Sequence, residues 1–164
     1  HSGLNAYLSL HLAQVLLREG DPRWRPILKA VKELASPTGQ WPEASHPATR
    51  GGCMGDGQHG WASAEWILMV RSLFLLEVPG GLVLAAGAGE DWLEEGRTSS
   101  FGPTATPYGP VSVTVAGKGE KAVVAWEGKW HGEPPAVEVR LPGRKPRAAD
   151  PAAGSVEIDL EERE

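Results

Sequence analysis

The stretch TGQWPEASHPATRGGCMGDGQHGWASAEW, Thr38 to Trp66, separates two segments of helical periodicity and holds the only cysteine, Cys53, together with His46, His59 and a Glu43 beside Trp41. A connection this long and glycine-rich inside an ordered domain is uncommon, and binding or catalysis is its usual reason. Trp41, Trp61 and Trp66 argue against disorder, because disordered segments are poor in large aromatic residues.

Upstream, Leu4, Leu8, Leu12, Val15 and Leu16 recur at helical spacing as far as Gly20, which predicts a helix over Ser2 to Glu19 with that stripe as its apolar face. Asp21 and Pro22 suit the cap and first position of a second helix carrying Trp24, Ile27, Leu28, Val31 and Leu34 and ending at Ser36-Pro37. A helical hairpin with a short turn follows. Downstream, Trp61, Trp66, Ile67, Val70, Leu73, Phe74 and Leu76 predict a third helix, apolar around much of its circumference, with Trp66 and the aliphatic residues behind it as core.

From Pro79 the character changes. Glycine and proline punctuate β-rich runs at Leu82 to Ala86, Val111 to Val115, Ala122 to Trp126, Ala136 to Leu141 and Val156 to Leu160, several alternating apolar and polar. The fold class expected is α+β in sequence order: a helical part over residues 1–79, then an antiparallel β-sandwich over residues 80–164. Three helices with such apolar faces are too few to bury one another, so they read as part of a larger helical body.

With 41% apolar and 23% charged residues the chain reads as soluble and globular, and a cytoplasmic location is the favoured expectation. Trp61 to Val78, the longest apolar segment, is interrupted by Ser63, Glu65, Arg71, Ser72 and Glu77, so no membrane partner is expected. A net charge of −5 without a Lys/Arg cluster argues against nucleic acid. There is no secretory or transit-like leader, and a start at His1 reads as a processed product or a fragment.

Four chemistries can be drawn from the central stretch. Glu43 follows Trp41-Pro42; the indole offers a flat apolar face that can stack on a sugar, proline fixes the direction of the chain, and a carboxylate so placed can activate water as a general base. Cys53, Asp56 and His59 could be a thiol, acid and imidazole set, but no helix start or signature surrounds the thiol, and Cys53 reads as a small buried filler. No HxH or HExxH spacing unites His46, His59, Asp56 and Glu43 as metal ligands, so no metal or other cofactor is expected. Gly51, Gly52, Gly55 and Gly57 lack the Lys-Ser/Thr of a phosphate loop and read as turn glycines, while Asp56 or Gln58 would cap the third helix.

The order Trp41-Pro42-Glu43, His46-Pro47, Thr49, Gly51-Gly52-Cys53, Gly55-Asp56-Gly57 and Gly60-Trp61-Ala62-Ser63-Ala64-Glu65 resembles the last hairpin of six-hairpin glycosidases, the (α/α) toroid superfamily of glucoamylases and rhamnosidases. Leu82-Val83-Leu84, Trp92-Leu93, Gly96, Pro103-Thr104 and Tyr108 to Val113 are similar to landmarks of the β-sandwich that follows the toroid in rhamnosidase-like enzymes. One departure stands out: the glucoamylase pattern has Gln after Pro-Glu, where this chain has Ala44.

The resemblance implies a glycoside hydrolase portion in which Glu43 is the general base and Trp41, His46, His59 and Trp61 line a sugar site. It also implies that the general acid lies in an earlier hairpin, leaving this chain inactive alone. Glu65 and Asp56 are acids only if the chain works by itself. The partners expected are carbohydrate and, through the apolar helix faces, the remainder of the enzyme or a second copy. The competing class is a non-catalytic module that binds carbohydrate through exposed Trp126 and Trp130 or packs on another protein.

Overall fold

The computed structural model describes residues 3–162 as a mixed α+β protein in two compact units, His1–Val70 and Arg71–Glu164. The expected helix start at Ser2 lies outside the described residues.

The first unit opens with α1 (Ala6–Arg18). Asn5 caps it by accepting the Leu8 amide at 3.3 Å. Gly20, at φ +73°, ends it: its amide bonds Leu17 O at 3.1 Å and the Asp21 amide bonds Leu16 O at 2.9 Å, the paired bonds of a left-handed glycine stop. The second helix, α2 (Trp24–Glu33), starts later than expected. Asp21 accepts the Arg23 amide at 2.9 Å and also pairs with the Arg23 guanidinium, so it shapes the turn ahead of the helix instead of capping it.

The buried face of α1 differs from the expected one. Ala6, Leu10, Ala13 and Leu17 are buried, while Leu4, Leu8, Leu12 and Val15 are exposed. Both sets repeat at helical spacing, so periodicity alone gives two solutions. Only Ala6 and Ala13 between leucines let the backbone approach its neighbour closely, and that set is the one packed inward.

Two short strands, β1 (Ala44–Ser45) and β2 (Gly52–Met54), pair antiparallel with a bulge and form a hairpin within the central stretch. The third helix, α3 (Gly60–Phe74), stops before Leu75 and Leu76, which the sequence placed on it. Those leucines begin β3 (Leu75–Val78), paired antiparallel with β4 (Gly81–Leu84) around Pro79-Gly80. Gly80 at φ +78° completes a two-residue turn, and the ladder it registers supersedes the last helical turn. The two units divide at Val70/Arg71, within α3.

The second unit continues with β5 (Thr98–Thr104), β6 (Val111–Lys118), β7 (Lys121–Gly128), β8 (Ala136–Val139), β9 (Arg147–Ala149) and β10 (Ser155–Asp159). They form two four-stranded sheets, ordered β10-β7-β6-β5 and β3-β4-β8-β9. The first is antiparallel throughout; in the second, β4 and β8 run parallel, a departure from the expected all-antiparallel pairing. Val111, Val113 and Val115 alternate with partly exposed Ser112 and Thr114 on β6, and Ala122, Val124 and Trp126 are the buried set on β7. The buried Arg144 guanidinium donates to Pro142 O at 3.0 Å and Leu160 O at 3.1 Å, fastening the segment that follows β10.

The two faces of α1 make separable predictions. Leu10 is fully buried and Leu12 is 53% exposed. Leu10→Ala is expected to lower the stability of the first unit by about 3 kcal/mol, and Leu12→Ala by less than about 1 kcal/mol, in urea denaturation followed by tryptophan fluorescence. Equal losses would contradict the assignment of faces.

Candidate functional site

Glu43 sits between two fixed points. Trp41 O accepts the His59 amide at 2.8 Å, and Ser45 exchanges backbone bonds with Leu4, both at 2.8 Å. Between them Glu43 is half-buried, and among the described residues no side chain or backbone donor pairs with its carboxylate. Gly55 lies against it at φ +67°; a Cβ there would stand 2.8 Å from Glu43 Cβ and 3.3 Å from Oε2. The glycine therefore supplies both a left-handed turn and the room the carboxylate occupies. A groove of about 390 Å³ adjoins this point, lined by Gln40, Pro42, Arg50, Gly52, Gly55 and the end of α2.

A second cluster surrounds Glu65, whose side chain is 12% exposed. His11 Nε2 donates to Oε1 at 2.9 Å, Trp61 Nε1 to the same oxygen at 3.2 Å, and Gln14 Nε2 to Oε2 at 2.9 Å. Tyr7 stacks on Trp61 with ring centroids 4.4 Å apart and 25° between planes, and His59 lies 5.2 Å from Tyr7. Burial pushes the Glu65 carboxyl up, but the donors from His11, Gln14 and Trp61 together outweigh it and hold the group below its ordinary value.

Apart from Glu43, the four residues singled out in the sequence occupy three places. Trp61, 53% exposed, and His59 join the Tyr7 cluster. Trp41 is 4% exposed, donates through Nε1 to Val31 O at 2.8 Å and faces Trp66 at 5.1 Å, so its ring belongs to the core of the first unit. His46 lies in the exposed β1–β2 turn, where Nδ1 accepts the Ala48 and Thr49 amides at 3.2 and 3.3 Å. His59 works similarly at the start of α3, its Nδ1 accepting the Ala62 amide at 3.4 Å, which displaces Asp56 and Gln58 from the expected capping role. In both histidines the proton therefore resides on Nε2.

Cys53 is exposed and not the buried filler expected, because β2 lies outermost in a hairpin whose buried residues, Ala44 and Ser45, are all on β1. Trp126 is 6% exposed and bonds Pro151 O at 3.0 Å, so the carbohydrate-binding role drawn for an exposed Trp126 does not hold. Among the described residues, no three His, Cys, Asp or Glu side chains converge as a metal-holding group, and no helix is long and apolar enough to cross a membrane.

Tyr7, His11 and Gln14 were not anticipated. Their spacing of i, i+4 and i+7 places them in one row of α1, and Trp61 and Glu65 stand four apart on α3. The row is legible as a polar and aromatic stripe beside the leucines, but nothing in local spacing joins it to Trp61 and Glu65. No protein-family model, curated protein or solved structure matches the chain.

Because the folded carboxyl of Glu65 titrates below the unfolded value of about 4.3, its stabilising contribution is fully present above that pH and is lost as pH falls through the folded value. Glu65→Gln is expected to flatten the acid limb of melting temperature against pH below about 4.5. An unchanged acid limb would show that the three donors do not stabilise the ionised group.

Proposed function

We propose that this chain is the C-terminal portion of a glycoside hydrolase that cleaves an oligosaccharide or glycoside by general acid/base hydrolysis, with Glu43 as general base. The observation that carries this reading is Glu43 itself: a half-buried carboxylate that no donor among the described residues pairs with, held beside a groove by a glycine that leaves it room. A carboxylate engaged by protein donors is a poor base, because its lone pairs are occupied; Glu43 keeps them for water.

In this reading the base takes a proton from the water that attacks the anomeric carbon, while an acid protonates the departing oxygen from the opposite side, the carboxyls standing roughly 6.5–9.5 Å apart for inversion. Glu65 is unsuited to be that acid, since a proton donor needs a raised value and its three donors lower it. The acid then comes from helices outside these residues.

The exposed apolar faces support such helices. Leu8, Leu12 and Val15 on α1, and Trp61, Ile67 and Leu68 on α3, are exposed. Faces of this kind suit burial against further helices of the same architecture. The finer fold reading follows: α1 to α3 as the closing hairpins of a six-hairpin toroid, with the two sheets as the trailing β-sandwich. Carbohydrate is then the ligand, and the remainder of the enzyme, or a second copy, covers the apolar faces.

The isolated 164-residue chain is expected to show no turnover of aryl glycosides. Turnover that Glu43→Gln abolishes would place both carboxyls within it and overturn the division of the site. In the polypeptide that includes the proposed helices, Glu43→Gln is expected to lower kcat by about 10²- to 10⁴-fold with little change in KM. Gly55→Ala, which crowds Glu43, is expected to lower kcat in the same direction. Wild-type rates in Glu43→Gln would exclude Glu43 as base.

A further inference from the structure

We propose that the groove beside Glu43 takes an acidic sugar, and that Arg50 selects it by pairing with the sugar carboxylate. The inference rests on the carbohydrate reading and narrows its substrate class from glycosides at large to glycuronides.

Arg50 holds an unfavourable backbone conformation. Its φ is +58°, in the left-handed region where a side chain crowds the neighbouring carbonyl and glycine is the usual occupant. Gly51, the very next residue, lies outside that region. The turn is closed around the strained residue: the Arg50 amide bonds His46 O, and the His46 amide bonds Gly51 O, each at 2.7 Å. Strain of this kind gathers where a side chain has a task. No bond within the protein accounts for it here. Arg50 is exposed, and among the described residues no carboxylate pairs with its guanidinium and no acceptor receives its N–H groups.

Arg50 is also the single cation among the residues lining the groove of about 390 Å³, which Glu33, Gln40 and Gly55 line with it. Half-buried Gln40 accepts the Thr38 hydroxyl on Oε1 at 3.4 Å, which leaves its amide N–H groups without a partner among the described residues. What Arg50 and Gln40 have left to offer is therefore donors. A carboxylate is the complement, because it only accepts, and its two oxygens match the planar fork of a guanidinium. Sugar hydroxyls are met differently, since each brings a proton that Glu33 can accept. Glu33 and Glu43 would repel an anion that found no cation in the groove; Arg50 offsets that repulsion for an acidic sugar and gives a neutral one no equal gain.

The groove is lined wholly from residues 33–57, so the 164-residue chain suffices for the test. The probes are methyl β-D-glucuronide, methyl β-D-glucopyranoside and sodium acetate at one ionic strength, with the Gly52 and Gly55 amides followed in ¹H–¹⁵N spectra. A saturable shift with the glucuronide, at least about 10-fold tighter than with the glucoside, is expected. Arg50→Gly is expected to weaken glucuronide binding about 10- to 100-fold and to leave glucoside binding unchanged. Because glycine suits the left-handed backbone, the same variant is expected to keep or raise the melting temperature, which separates loss of the guanidinium from loss of the fold. Equal binding of the two glycosides, unaltered by Arg50→Gly, would overturn the acidic sugar and leave the carbohydrate reading standing. Acetate binding as tightly as the glucuronide would overturn it too, since the sugar ring would then contribute nothing. No response to either glycoside would overturn both readings.

Discussion

One half-buried carboxylate ties the helical unit together. Glu65 on α3 receives His11 and Gln14 from α1 and Trp61 from its own helix, so a single ionised group sets how two elements distant in sequence meet. Removing any one donor leaves a charge in poor surroundings, which is costlier than the bond itself is favourable. The consequence reaches the central stretch. Fixing Trp61 fixes the start of α3, and the His59 amide there holds Trp41 O, from which the chain passes directly to Glu43.

The same helix that supplies those donors is apolar on two sides. Leu10 and Leu17 lie inside; Leu8, Leu12 and Val15 lie outside, and the row Tyr7, His11, Gln14 runs alongside them. A lone exposed leucine needs no explanation, but a repeating stripe does, because each such side chain in water forgoes roughly 1.5–3 kcal/mol of burial. The sequence argument that three such helices cannot bury one another is consistent with this arrangement.

The legible parts of the fold were those where one rule acted alone. Alternation on β6 and β8 identified the buried valines directly, since a strand offers only two faces. The three helices were found from periodicity, but its phase on α1 was ambiguous because two apolar sets share the same repeat. Leu75 and Leu76 were lost to the helix because an apolar run carries no mark of where a Pro-Gly turn will impose a ladder. The polar strand β5, whose one large apolar residue is Phe101, and short, charged β9 carried little hydrophobic signal; pairing with the neighbouring β6 and β8 makes them strands. Trp61 and His59 each contact Tyr7, which, like His11, is some fifty residues away and invisible to local spacing.

Two carboxylates close to one loop thus have opposite surroundings. Glu65 is saturated with donors and held ionised, which suits it to orient aromatic rings and unsuits it to give up or accept a proton. Among the described residues Glu43 has no protein donor, and it lies against Gly55, which lines a groove. Trp41 was expected to serve as the flat contact beside it; instead its indole N–H anchors to α2 and its ring to Trp66, which makes Trp41 the rigid post from which Pro42 and Glu43 project. In the proposed hydrolase the buried tryptophan then fixes where the base stands, and the environment of each acid, not its residue type, decides its role.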